Sequence, residues 1–242
     1  MQVVVRVDGL SKSYGPTHAL DEVSVDFRGG SVHTVLGENG SGKSTLIKAL
    51  SGVVVPDAGS ISIDDVPVRR FSPRASLDLG VVTVFQEVLT APNRSIVENV
   101  YLGYHGYWRD RVTQAEQQRR THELFAELGV PDVDIDAEAE RASLMIQQIT
   151  VIARALLREP RVLILDEGTA ALGLVERDAL FEIVKRLRAD GALIIFVSHR
   201  MDEVMEISDR VTVLRSGRVV DTVDRADMTP EHLLDLMAPQ GL

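Results

Sequence analysis

The chain has 242 residues, 45% of them hydrophobic, which is enough for one large domain with a subordinate insertion rather than two independent domains. Its 26 basic and 36 acidic residues leave a net charge of −10 with no long basic block, so nucleic acid is not expected as a partner. There is no cysteine for disulfide or thiolate chemistry and no apolar stretch near the roughly 20 residues that span a bilayer, so a cytoplasmic chain is expected, with any membrane role coming through partners.

MQVVVRVDGL lacks the basic start and continuous apolar core of a signal peptide, and its alternation at Val3, Val5 and Val7 predicts a strand. A second alternating run, Val23 to Phe27, predicts its antiparallel partner. Between them, in LSKSYGPTHAL, Tyr14 stands beside Gly15 and Pro16 in an expected loop, where its ring could face a base or pack on a neighbouring strand.

The apolar run Ser31 to Leu36, the glycine-rich GENGSGKST of Gly37 to Thr45 and the helix-compatible LIKAL that follows predict strand, phosphate loop and helix, fitting GxxxxGK[ST]. Gly37, Asn39, Gly40, Ser41 and Gly42 would wrap backbone amides around nucleotide phosphates, helped by the positive end of the helix. Lys43 would reach the β- and γ-phosphates, the Ser44 hydroxyl would ligate Mg²⁺, and Thr45 completes the loop.

Downstream, Pro56 and Gly59 punctuate a hairpin with a short strand over Ser60 to Ile63, and Ser72 with Pro73 is the expected start of a short helix. Leu79 to Phe85 is an apolar run expected to be a buried strand ending at Gln86. From Val88 to about Ala142 the composition becomes that of a helical insertion. It includes Thr113 to Leu128, with Leu124, Phe125 and Leu128 on one face, and an aromatic cluster over Tyr101 to Trp108 expected to form insertion core or a partner contact.

Ser143 opens a helix pattern ending near Leu157, and the apolar run Arg161 to Leu165 delivers Asp166 and Glu167 at a strand's end. Asp166 is placed to hold Mg²⁺, and Glu167 to polarise a water against the γ-phosphate; the same pair could instead cap a helix. Leu174 to Arg188 has helical spacing, Ala192 to Val197 is a buried-type strand ending at Ser198 and His199, and Arg210 to Val223 closes on a hairpin around Ser216 and Gly217. His199 could hydrogen-bond the γ-phosphate. Strands alternating with helices predict an α/β chain: a P-loop core with a mostly parallel sheet, an antiparallel β subdomain and an inserted α-helical subdomain.

With these residues assembled, the chain resembles an ATP-binding cassette over nearly its whole length, and most closely the first cassette of bacterial monosaccharide-importer ATPases. The resemblance implies that LSKSYGPTHALDEVS holds the adenine-stacking Tyr14. It likens FQE, Phe85 to Glu87, to the family's Q-loop, with Gln86 joining Ser44 and Asp166 around Mg²⁺ and joining Glu167 and His199 in catalysis. APNRSIVENVYLG resembles the surface that meets the permease, LILDEGTAAL the Walker B strand, and SHRMDEVMEISDRVTVLRSGRVV the switch-histidine segment. The implied arrangement is a single nucleotide-binding domain, with residues 1–88 and 158–242 as core and 89–157 as helical subdomain. Its expected cofactors are ATP and Mg²⁺. Its expected partners are a second cassette and a transmembrane permease met through Phe85 to Arg94, with an external solute-binding protein only indirectly involved, on the inner face of the membrane.

The sequence departs from the family pattern where a cassette serves its partner. Aligned through IARAL, the family's LSxGQ reads ASLMI here, Ala142 to Ile146, so that Met145 replaces a glycine and Ile146 a polar donor while Ser143 survives. Gly173 stands where the family has Asp, and Gly168 where it has Pro. The expectation is therefore a chain that binds and cleaves ATP beside a cassette with an intact signature but serves poorly as donor. A soluble cassette of repair or translation, and a nucleotide-sensing cassette with little hydrolysis, remain as alternatives. Because importers of this type join two cassettes in one chain, the end at MTPEHLLDLMAPQGL leaves an excised first half or a stand-alone relative, of which the first is expected.

Overall fold

A computed structural model of the chain describes residues 3–69, 72–104 and 112–238. It is an α/β chain with two sheets, as the alternation of strands and helices predicts. The first is antiparallel, built from β1 (Val4–Tyr14), β2 (Thr17–Arg28), β4 (Ala58–Ile63) and β5 (Val66–Pro67) in the order β2-β1-β4-β5. The second has six strands: β3 (Ser31–Leu36), β6 (Val81–Val84), β7 (Val162–Asp166), β8 (Leu193–Val197), β9 (Arg210–Arg215) and β10 (Arg218–Asp224), ordered β10-β9-β3-β8-β7-β6. Within it β9, β3, β8 and β7 pair in parallel, and β10 returns antiparallel on β9.

The burial of these strands follows their sequences. VLILD in β7 and LIIFV in β8 are buried at every position, as parallel strands covered on both faces must be. In the first sheet the second half of β2 alternates buried and exposed, matching the period-2 run at Val23 to Phe27. β1 and β2 are longer than that alternation suggests: pairing continues to Tyr14↔Thr17, so Tyr14 ends a strand instead of lying in a loop. Three register irregularities between Val7 and Ser13, the first spanning Gly9 at φ 56°, break the alternation while leaving the ladder intact.

The helices are α1 (Lys43–Leu50), α2 (Pro73–Asp78), α3 (Ile96–Val100), α4 (Gln114–Glu127), α5 (Leu144–Leu156), α6 (Leu174–Ala189), α7 (Met201–Ile207) and α8 (Pro230–Met237). The start of α2 carries the expected chemistry, and those of α4 and α5 share it. Ser72 caps α2 ahead of Pro73, Thr113 caps α4 and Ser143 caps α5, each hydroxyl accepting a backbone N–H of the first turn. Of the aromatic cluster, Tyr101 and Tyr104 meet edge to face with centroids 5.4 Å apart; His105 to Trp108 lie outside the described residues, as do the last four residues, 239–242.

The chain divides into two compact units. One comprises Met1–Thr83, Arg161–Glu167 and Arg186–Leu242, and packs around fully buried Val32, Val35, Leu46, Ile47, Ile164 and Ile195. The other comprises Val84–Pro160 and Gly168–Lys185, around Ile96, Phe125, Leu128, Ile149 and Phe181. The segment 168–185, placed with the core on sequence alone, packs in the second unit, where Gln148 Nε2 donates to the Gly168 carbonyl at 3.0 Å.

Candidate nucleotide site

Parallel pairing in register sets where the site lies. Val35 and Asp166 both pair with Val197, so the carboxyl ends of β3, β7 and β8 lie level. The same edge therefore receives the loop from Gly37, the pair Asp166 and Glu167, and the pair Ser198 and His199, in the manner of ligand sites on open α/β sheets.

The loop after β3 is held by its glycines. A Cβ on Gly37 would lie 2.3 Å from the Leu214 carbonyl oxygen, and one on Gly42, at φ 108°, would lie 2.5 Å from that of Ala19. Gly42 is also the N-cap of α1 and provides no side-chain cap, so the first-turn amides, which have no intrahelical acceptors, are left uncapped at the end of the loop. Asn39, Gly40 and Ser44 are exposed, Thr45 is half-buried, and Ser41 is buried with no partner for its Oγ. Lys43 is 7% exposed; its Nζ donates to the carbonyl oxygens of Gly37 at 2.7 Å and Glu38 at 2.9 Å. Burial lowers its pKa, against the opposing pull of Glu167 and Asp166. An ammonium, a bare helix start and an orphaned hydroxyl in one loop suit a phosphate group.

Asp166 ends β7 and is 5% exposed. Burial, then the Glu167 charge, pushes its pKa up to about 6, with Lys43 and Lys48 pulling the other way. A hard divalent cation bound through oxygen would relieve that penalty, so the donor set fits Mg²⁺. Glu167 has left-handed backbone, φ 51°, in which few non-glycine residues are found, and its N–H donates to the Val197 carbonyl at 2.9 Å. Its Oε1 lies 3.3 Å from Nδ1 of the exposed His199. The turn bearing His199 is pinned on both sides: Ser198 Oγ accepts from Arg200 N–H at 3.1 Å and donates at 2.8 Å to the fully buried Glu203.

Lys43, Asp166, Glu167 and His199 are thus brought to one edge. Tyr14, half exposed at the end of β1, has Lys12 Nζ 5.7 Å from its ring centroid, and Asp57 holds both Lys12 Nζ and the Ser13 N–H at 2.7 Å. Gln86 is an exposed residue two positions beyond β6 and belongs to the second unit.

The second unit carries features that the sequence does not announce. Asn99, fully buried in α3, accepts from the Ala91 N–H at 2.7 Å through Oδ1 and donates through Nδ2 to the carbonyls of Ala91, Arg94 and Ser95. Arg154 in α5 donates to the Asn99 and Leu89 carbonyls at 2.7 and 3.1 Å. The loop carrying Leu89, itself 60% exposed, is therefore strapped from two helices. The only sequence signal for these two residues is a polar side chain within an otherwise apolar helix face.

A family model described as "ABC transporter" matches residues 20–170. The chain is 38% identical over 232 residues to the ribose import ATP-binding protein RbsA 1 of Rhizobium johnstonii, a match covering 96% of this chain and 45% of that protein. It is 40% identical over 235 residues to the arabinose import ATP-binding protein AraG 1 of Burkholderia cenocepacia, covering 97% and 46%. The chain spans about half the length of the curated relatives it matches. Among solved structures, a dimeric ATP-binding cassette in a post-hydrolysis state bound to ADP and Pi superposes with a TM-score of 0.84 at 24% identity, over 91% of this chain and 98% of that one. A nucleotide-free cassette from an ABC transporter superposes with a TM-score of 0.82 at 22% identity, over 98% and 100%. Those two likenesses establish the fold.

Proposed function

This chain belongs to the ABC transporter family, and from that premise we propose that it is an ATP-binding, ATP-hydrolysing cassette that energises import of a sugar or similar small polar solute through a membrane permease. The observation that carries the reading is the level edge of β3, β7 and β8, where a buried lysine, a buried aspartate and a Glu167–His199 pair meet. In this reading Tyr14 stacks on the adenine, and Gly37, Asn39, Gly40, Ser41 and Gly42 wrap the phosphates. Lys43 reaches the outer phosphates, Thr45 extends the loop's amide array, and Ser44, Gln86 and Asp166 hold Mg²⁺. The ion, when bound, neutralises charge on the β- and γ-phosphates. Glu167 polarises the attacking water, and His199, one hydrogen bond away, contacts the γ-phosphate.

The partners follow from the same reading. We take residues 1–88 and 158–242, apart from the segment 168–185 that packs in the second unit, as the ATPase core and 89–157 as the helical subdomain, with a second cassette providing the donor that ASLMI lacks. The segment Phe85 to Arg94 is taken as the permease contact, which is supported by the exposure of Leu89 on a strapped loop. The external solute-binding protein would act through the permease, and no role for nucleic acid is proposed. The proposed place, held through the permease, is peripheral on the inner face; among the described residues no helix is long and apolar enough to cross a membrane.

The test pairs the chain with a cassette of intact signature and follows phosphate release. Glu167→Gln keeps the side chain's shape and loses its basicity, so ATP occupancy should hold while turnover falls by about 10² to 10⁴. Turnover equal to the parent's would remove Glu167 from the chemistry. A second reading, a nucleotide-sensing cassette with little hydrolysis of its own, draws on the altered segment Ala142 to Ile146; it predicts parent turnover already at the level of Glu167→Gln.

A further inference from the structure

Three separate pieces of backbone meet under the phosphate loop. In the two-residue turn between β9 and β10, Ser216 at φ 49° and Gly217 at φ 78° are both left-handed, the conformation of a tight type I′ hairpin. Gly217 N–H donates to the Ser41 carbonyl at 2.9 Å, and the Gly217 carbonyl accepts from the Asp21 N–H at 2.8 Å. One residue therefore bonds the phosphate loop on one side and β2 on the other. A Cβ on Gly217 would lie 3.1 Å from the Ala19 carbonyl oxygen and 3.2 Å from that of His18. A Cβ on Gly42 would meet the same Ala19 oxygen at 2.5 Å and the Gly217 Cα at 3.4 Å. A second tie stands beside the first: Arg218 Nε and Nη2 lie 2.8 and 2.6 Å from Asp21 Oδ2.

The residues so held, His18 to Asp21, lead directly out of the hairpin that ends in Tyr14. His18 pairs with Ser13, and Thr17 with Tyr14. Whatever fixes His18 to Asp21 against Ser41 and Gly42 thus fixes where the Tyr14 ring stands relative to the phosphate loop. We infer that the Ser216–Gly217 turn is a rivet setting the distance between base platform and phosphate loop, making Gly217 and the Arg218–Asp21 pair positioning residues for an adenine nucleotide. The inference rests on the nucleotide reading of Tyr14 and Lys43 given above. Its physical content is the chelate effect. A ligand that touches two platforms gains the second contact at an effective concentration set by how rigidly the two are spaced, while a ligand that touches only one gains nothing from the spacing.

The experiment is calorimetric titration of the full chain with ATP and, separately, with inorganic tripolyphosphate, which engages the phosphate loop alone. Gly217→Ala places a methyl in left-handed backbone against the His18 and Ala19 carbonyls; it should weaken ATP by about tenfold and tripolyphosphate by less than about twofold, a modest part of typical chelate gains. Arg218→Gln leaves the turn intact and removes only the side-chain tie. It should change the ratio of the two affinities in the same direction by about threefold, the scale of a surface ion pair, and Asp21→Arg combined with Arg218→Asp should restore the ratio. If Gly217→Ala fails to fold, Arg218→Gln and the exchanged pair decide the matter.

Equal weakening of both ligands, or an unchanged ratio in every folded variant, would overturn the rivet, since a merely structural role moves stability and not the ratio. Tyr14→Ala separates the inference from its premise: it should weaken ATP alone, and by no more in the Gly217→Ala background than in the parent. If Tyr14→Ala leaves ATP affinity intact, the base platform is wrong and the rivet with it; if Tyr14→Ala acts and Gly217→Ala does not, the rivet alone is wrong.

Discussion

Two helices of this chain begin in opposite ways, and the contrast shows how a helix start becomes a site. α1 opens on Gly42, left-handed and without a side-chain cap, next to a buried Lys43. α5 opens on Ser143 in extended backbone, whose Oγ accepts from the Ile146 N–H at 3.3 Å, while Gln147 Nε2 reaches back to the Ala142 carbonyl at 3.0 Å. Both starts carry the same partial positive charge. The first withholds its own acceptor, leaves Ser41 Oγ without a partner and stays open to an anion. The second satisfies a first-turn N–H internally and presents Leu144, 61% exposed, where an anion would need a donor. A site is made here by leaving a helix end unsatisfied, and lost by finishing it.

The largest effect should come from breaking the open end. Lys43→Ala removes a buried ammonium aimed through the loop and should lower ATP affinity by at least about 100-fold, equivalent to about 3 kcal/mol for a charge-assisted hydrogen bond, as read by calorimetry. Unchanged affinity would mean that the loop binds phosphate without it. The next largest should come from reopening the closed end. Met145→Gly with Ile146→Gln restores close approach and a polar donor at the start of α5. At protein concentrations that allow dimerisation it should raise phosphate release by at least about tenfold, a cautious fraction of the 10² to 10³ attached to one preorganised donor. Equal rates, with folding and dimerisation verified, would end the reading in which this segment limits turnover.

What could be read from the sequence divides along the same physical line. Where chemistry depends on side chains at short spacing, the residues announce it: GENGSGKST, the apolar β7 run into Asp166 and Glu167, and the Ser72 cap of α2 all stand where their patterns place them. Where position depends on backbone bonds between distant segments, nothing in the local pattern speaks. The Gly217 carbonyl and N–H tie residues 21 and 41 to a turn 196 and 176 positions away, using backbone atoms that carry no residue signature. The continuation of β1 to Tyr14 was hidden for a related reason, since irregular register near Gly9 breaks the period-2 signal that marks a strand. The strap made by Asn99 and Arg154 reads in sequence only as two polar residues within apolar helices, because its acceptors are backbone carbonyls, those of Ala91 and Leu89 in the loop and of Asn99 in α3.

The smallest expected effect is the sharpest test of the comparison, because Ser143 is common to both accounts of α5. If the start of α5 is closed, the Ser143 hydroxyl is a structural cap whose work is to satisfy the Ile146 N–H. Ser143→Ala should then cost about 1 kcal/mol of stability by chemical denaturation, the usual value for an N-cap serine, and change phosphate release by less than about twofold under dimerising conditions. If instead the hydroxyl still serves a nucleotide held on a second cassette, the ranking inverts: turnover falls by about tenfold or more while the denaturation midpoint stays put, since the amide would find water at this exposed start. The two outcomes are separable because a cap acts on the folding equilibrium and a donor acts on the transition state. A tenfold fall in turnover at unchanged stability would place α5 beside α1 as an open helix start and would remove the contrast on which the asymmetric reading of this chain depends.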